Sequence, residues 1–214
     1  MRRKVVPLLA LIALLLLWST LPASAGPALP SNARPRGQTY EEWARRIGQF
    51  YLGDASNPLI AGLSGDCGQL IDGVFFMAAP IDVGVEFDCE IPVGTPIVLS
   101  HAGFFTFEDA ELDTDAELIA AADEGFTFTS NSLTVDGVAV ALPTVHAGAF
   151  DVISESGSFY DSVIGVGTGP IRTALTGNVV FLHPLAPGEH TIEAEVTFTG
   201  DGGAFSATYH IDVG

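Results

Sequence analysis

Apolar and polar residues alternate with a period of two in two runs near the end of the chain, residues 191–199 and 205–213. Ile192, Ala194, Val196 and Phe198 interleave with threonines and glutamates. After Gly200-Asp201-Gly202-Gly203, Phe205, Ala207, Tyr209, Ile211 and Val213 do the same. This pattern places one set of side chains on a core and the other in solvent. Asp201-Gly202 predicts a two-residue hairpin loop. Such a loop pairs Phe198 with Phe205 and Val196 with Ala207, and sets Glu193 opposite His210 on the solvent side. Just upstream, residues 178–183 form a nearly continuous apolar run, and Pro184-Leu185-Ala186-Pro187-Gly188 turns the chain. Three terminal strands are predicted.

Shorter runs earlier in the chain follow the same rule. Residues 74–78 are apolar throughout and are expected to be buried on both faces. Val85, Phe87, Cys89 and Ile91 alternate with Glu86, Asp88 and Glu90. Residues 96–100 and 104–107 form one strand or two. Leu133, Val135, Val138, Val140 and Leu142 share a face across an Asp136-Gly137 hairpin. Residues 57–72 are punctuated by Gly, Pro and Asp and read as loop. Residues 146–177 are rich in Gly and Ser with broken patterning, the signature of functional loops.

Two segments change the period to that of a helix. Thr39-Tyr40-Glu41-Glu42 is a capping box, followed by an apolar stripe of Trp43, Ile47, Phe50 and Tyr51 and a stop at Gly53. Thr114-Asp115-Ala116-Glu117 is a second box; behind it Leu118, Ile119 and Ala122 turn inward, and Gly125 ends the helix. The predicted fold is all-β: a jelly-roll or Ig-like β-sandwich with an N-terminal amphipathic helix near 39–52 and one short inserted helix near 115–124. A single domain over 39–214 follows a flexible lead-in at 26–38.

Residues 1–25 read as a secretory signal peptide. Arg2, Arg3 and Lys4 precede an apolar stretch, and Ala23-Ser24-Ala25 is a cleavage signal. Its removal leaves five arginines, no lysine and 26 Asp and Glu, a net charge of −21. An acidic protein of this kind repels nucleic acid and anionic membrane surfaces. Localisation is expected to be secreted, outside the cell, with no membrane insertion once the signal is cleaved.

Several short stretches occur together: Trp43 on the first helix; Asn57-Pro58; Cys67 before Gly68-Gln69; Cys89 ahead of Ile91-Pro92-Val93-Gly94; Val135-Asp136-Gly137; and residues 182–192 through Pro187-Gly188-Glu189-His190-Thr191-Ile192. In this combination the chain resembles a family of uncharacterised secreted bacterial proteins, over about residues 40–213. The resemblance implies a single β-sandwich with appended helices and carries no assigned activity or catalytic residues. The chain departs from that family near Cys89, where Glu86 or Asp88 stands in the neighbourhood of basic residues, and at Phe50, which stands in the neighbourhood where the family often has a second tryptophan.

Cys67 and Cys89 are the only cysteines, and in an exported chain they are expected to form a disulfide. Gly65-Asp66-Cys67-Gly68 looks like the nucleophile turn of chymotrypsin-like proteases, but no histidine precedes it. The five histidines lack metal-binding spacing, although His183 and His190 flank one turn. Asp113, Asp115, Glu117 and Glu124 occupy EF-loop spacing, but Leu118 stands where that loop needs glycine. Glu108, Asp109, Glu111 and Asp113 are the candidate metal ligands, for an irregular calcium site; no other cofactor is expected. The expected function is a non-catalytic extracellular or cell-surface binding module, calcium-assisted if that site forms, taking a glycan or protein partner through loops in 146–177. The alternative is a secreted carbohydrate-active hydrolase using paired carboxylates, a pair that the sequence does not single out.

Overall fold

The computed structural model describes residues 26–56, 66–80, 82–109, 111–199 and 203–214. The signal peptide read in 1–25, the Asn57-Pro58 pair and the Asp201-Gly202 dipeptide lie outside the described residues. The structure is mostly β and builds two five-stranded sheets. The first sheet contains β1 (Gly68–Ile71), β2 (Val74–Met77), β4 (Ile97–Phe107), β7 (Thr144–Ser154) and β8 (Gly169–Leu182), in the order β1-β2-β4-β8-β7. The second contains β3 (Val85–Ile91), β5 (Phe128–Val135), β6 (Val138–Ala139), β9 (Gly188–Phe198) and β10 (Ala204–Val213), in the order β3-β10-β9-β5-β6. Pairing is antiparallel except at β2–β4 and β3–β10.

The sheets pack face to face. Met77, Ile97, Leu99, Val180 and Leu182 of the first meet Phe87, Leu133, Ile192, Tyr209 and Ile211 of the second in one core. The first sheet is also covered on its outer face. Helix α1 (Tyr40–Gly48) and the π-helical turn Gln49–Gly53 lay Trp43, Ile47, Phe50 and Leu52 over Phe76, Val98, Val179 and Phe181. Thr39 caps α1: its hydroxyl accepts from the Glu42 amide, while the Glu42 carboxylate accepts from the Thr39 amide. Helix α2 (Asp115–Gly125) has the same cap through Thr114 and Glu117, and packs Leu118 and Ala122 on Ala174 of β8.

Double coverage explains the main departure from the sequence reading. The span 146–177, expected as loops, is mostly two neighbouring strands of the first sheet, β7 and β8. Ten successive residues, 173–182, are buried, so no polar face exists to mark a period of two. A register shift between Ala147 and Phe150 breaks what pattern remains on β7. The stretch 57–72, read as loop throughout, ends in β1, which pairs with β2 across Asp72-Gly73. Both residues of that turn have positive φ (50° and 73°), as do Asp136 and Gly137 between β5 and β6 (50° and 73°), the conformation of a two-residue hairpin loop. Val138, expected on the core face, is exposed at the sheet edge. Within the segment read as a flexible lead-in, Ala28 bridges Leu182 and the Leu29 amide donates to the Phe181 carbonyl at 2.7 Å.

The register of the last hairpin also differs. Phe205 faces Val196 and Tyr209 faces Ile192; the Phe198 amide donates to the Gly203 carbonyl at 3.0 Å. The loop therefore spans four residues, and Glu193 faces Thr208 while His210 faces Thr191. A shift of two positions keeps every side chain on its face, so Ile192, Ala194, Val196, Ala207, Tyr209 and Ile211 are all buried.

Candidate functional site

The site begins where the first sheet is incomplete. β2 pairs with β4 only at Phe75–Ile97 and Phe76–Val98. From Leu99 onward, β4 has β8 on one side and, among the described residues, no strand on the other. Two tyrosines close the corner where β2 departs. The Tyr51 hydroxyl donates to the Met77 carbonyl, and the Tyr209 hydroxyl donates to the Ala78 carbonyl at 2.7 Å. Burial pushes both phenols above the ordinary tyrosine range, so they remain protonated donors.

Beyond this corner lies a pocket of about 360 Å³. Its walls come from both sides of the open edge: Leu52, Phe105 and Leu175 from the outer core, and Ala102, Val196, Phe198 and Phe205 from the sandwich interior. The size is within the usual range for small-molecule sites. Its inner wall continues as a train of aromatic rings, with Phe126–Phe128 centroids 4.5 Å apart, Phe128–Phe198 5.1 Å and Phe198–Phe205 6.2 Å. Among the described residues, no Asp, Glu, Lys or Arg lines it.

Polarity enters through His101. It sits at the register shift between Ser100 and Ala102, where a bulge re-aims the side chain, and it is only 3 % exposed. Its Nε2 lies 2.6 Å from the Asn131 Oδ1. Asn131 Nδ2 donates to Asn178 Oδ1 at 2.8 Å, and Asn178 Nδ2 donates to the Leu142 and Pro143 carbonyls at 3.2 and 3.3 Å. Those two carbonyls accept only, so they orient both amides and put the histidine proton on Nε2. The Nδ1 lone pair is left over. Among the described residues, His101 Nδ1 is the only buried side-chain nitrogen or oxygen without a hydrogen-bond partner. Burial lowers the His101 pKa below the ordinary histidine value; the Asn131 amide and the Glu195 carbonyl oppose that shift without reversing it.

The residues singled out from sequence lie elsewhere. Cys67 and Cys89 form a disulfide with Cα atoms 5.4 Å apart, which ties β1 to the inner face of β3 and leaves no thiol for nucleophilic chemistry. Glu108, Asp109, Glu111 and Asp113 are all exposed. Asp109 Oδ1 accepts from the Glu111 and Leu112 amides at 2.7 and 2.9 Å. Among the described residues, no group of three or more His, Cys, Asp or Glu is gathered as a metal site. Asp115 pairs with Arg172, whose Nε and Nη2 reach its two oxygens at 3.0 and 2.8 Å while Nη1 reaches Asp151 at 3.2 Å. His190 contacts Asp136 at 2.7 Å and the Ala186 carbonyl at 2.8 Å.

A cluster of Thr176, Asp123 and His146 was not marked by spacing. The Thr176 hydroxyl donates to Asp123 Oδ1 at 2.5 Å, and His146 Nδ1 lies 2.8 Å from the same oxygen. The hydroxyl is 3.5 Å from that nitrogen and is already committed to the carboxylate. The arrangement clamps α2 to the sheet and does not activate an oxygen nucleophile. His101 itself carried no sequence signal: its role depends on a bulge and on two asparagines from distant strands.

No family model and no curated protein matches the chain. Among solved structures, the cysteine protease inhibitor EhICP2 from Entamoeba histolytica is 13 % identical, with 64 % of this chain and 96 % of that chain covered and a TM-score of 0.23. Amebosin is 10 % identical, with 62 % and 98 % covered and a TM-score of 0.20.

Proposed function

We propose that the protein is a secreted, non-catalytic binding module on an Ig-like or jelly-roll type of sandwich, and that the pocket at the open edge of β4 is its ligand site. The supporting observation is the composition of that pocket: among the described residues its wall is mostly apolar and aromatic, holds no Asp, Glu, Lys or Arg, and is interrupted by the His101 imidazole and the Ser100 and Tyr51 hydroxyl side chains. Such a wall gains from removing apolar ligand surface from water and supplies no acid–base pair for chemistry. The ligand we assign is a small apolar molecule, in place of a glycan or protein held by the 146–177 span. Export rests on the signal read in 1–25, and a disulfide is compatible with an oxidising compartment.

The test is binding of a neutral solvatochromic dye such as prodan to the mature chain, with Ala102→Leu as the pocket-filling variant. Saturable blue-shifted emission is expected, weakened at least ten-fold by Ala102→Leu while cooperative unfolding persists. Equal binding by the variant, or no saturable binding, would remove the pocket from the reading.

A further inference from the structure

We infer that the ligand of this pocket carries an aromatic ring, and that the ring bridges two sets of phenylalanines that reach the pocket from the two sides of the open edge. This rests on the reading of the pocket as the ligand site and adds the chemical class of the ligand.

The rings fall into two sets. In the outer core, Phe105 of β4 meets Phe159 with centroids 6.1 Å apart and planes at 83°, and meets Tyr160 at 5.8 Å and 67°. In the sandwich interior, Phe198 of β9 meets Phe205 of β10 at 6.2 Å and 81°, and the set continues through Phe128 to Phe126. Among the described residues, no ring contact joins one set to the other. Phe105, Phe159, Phe198 and Phe205 all line the pocket, and Phe105, Phe159 and Phe205 are only partly buried, so both sets present surface that a ligand can reach. Aromatic rings pair edge to face or offset at centroid distances of about 4.5–7 Å, because the positive edge of one meets the negative face of the next, and such pairs gain more than buried area alone provides. The near-perpendicular pairs in both walls follow this rule, and a ligand ring seated between them continues it on each side. A saturated ring has no such face and gains only area. The size agrees: an apolar cavity of about 150 Å³ holds benzene, and this pocket, at about 360 Å³, takes a ring with a short substituent.

The experiment compares benzyl alcohol with cyclohexylmethanol, which share a neutral hydroxymethyl arm and differ only in the ring. Both are titrated by calorimetry into the full mature chain, and intermolecular NOEs from the ligand ring are recorded. A pocket that only removes apolar surface from water prefers the saturated ring, whose apolar area is larger. The expected result reverses this: benzyl alcohol binds at least as tightly, and its ring protons show NOEs both to Phe105 or Phe159 and to Phe198 or Phe205. Phe159→Leu, which keeps the wall apolar, is expected to weaken benzyl alcohol relative to cyclohexylmethanol while cooperative unfolding persists. Preference for cyclohexylmethanol in the parent overturns the aromatic requirement and leaves the pocket standing. NOEs to one set alone, or an unchanged affinity ratio in Phe159→Leu, overturn the bridging. Binding of neither compound removes the ligand-site reading, and this inference with it.

Discussion

Tyr51 and Tyr209 donate to the consecutive carbonyls of Met77 and Ala78, Tyr51 from the core under α1 and Tyr209 from the core between the sheets. They satisfy the backbone where β2 leaves the sheet and β4 loses its neighbour. These are the carbonyls that a continuing strand would have paired, and leaving either buried without a donor costs about 1–3 kcal/mol. Tyr51→Phe and Tyr209→Phe are each expected to lower the unfolding free energy by that amount in urea, with little change in m-value. Because the carbonyls are adjacent, the double variant should depart from additivity. Single variants as stable as the parent would show that water satisfies the corner and that the tyrosines only fill space.

The disulfide carries a separate expectation. Cys67 and Cys89 are 22 positions apart, and closing such a loop contributes about 3 kcal/mol in the chain-entropy account. Thiol titration of the denatured, unreduced protein should find no free thiol. The Cys67→Ala, Cys89→Ala double variant should lose roughly that stability. Two reactive thiols in the parent would refute the bond.

Arg172 is expected to act as a strut. Its guanidinium holds Asp115 at the start of α2 and Asp151 on β7, and its side chain is 32 % exposed. Arg172→Gln should lower the thermal midpoint, and the loss should shrink when Asp115→Asn is already present. Equal losses in both backgrounds would mean that the pair does not interact; an unchanged midpoint in the single variant would mean that the arginine has no structural role.

What the sequence disclosed follows from which faces meet water. The second sheet has one wet face, and Val85 to Ile91 and Ile192 to Val213 read correctly as alternating strands down to the buried side chains. The capping boxes at Thr39 and Thr114 were visible because they are local. The end of β8, residues 178–182, was read as a strand from its apolar run, but β7 and the earlier part of β8 were hidden because the first sheet is covered by the second sheet, α1 and α2, so its central strands need no polar period. The final hairpin was placed on its faces but two positions out of register, since a loop length of two or four conserves the pattern. The pocket was not legible at all. It exists because β2 stops at Met77, because a bulge turns His101 inward, and because Asn131 and Asn178 meet it from 30 and 77 positions away along the sequence.

Two histidines give the stability curve opposing limbs. His190 has its pKa raised, first by the hydrogen bond to Asp136 and then, against burial, by the Ala186 carbonyl. Its contribution is complete below the unfolded value of about 6.5 and is lost as pH rises through the higher folded value. His101 has its pKa lowered, chiefly by burial. Below about pH 6.5 the unfolded chain takes up a proton there that the folded chain refuses, so stability falls as pH drops toward the folded value. Asp136 adds nothing in this window. Burial would raise its pKa, but the hydrogen bonds from His190 and the Thr191 amide hold it below the ordinary aspartate value, so its own contribution is lost only in stronger acid. The two histidines therefore place maximum stability near pH 6.5. His190→Gln should flatten the limb above that pH and leave the limb below it intact, measured as urea unfolding free energies across about pH 5 to 9. A variant that retains the alkaline fall would show that the His190–Asp136 contact does not persist in solution. A parent protein whose stability does not fall between about pH 6.5 and 5 would show that His101 is charged in the fold.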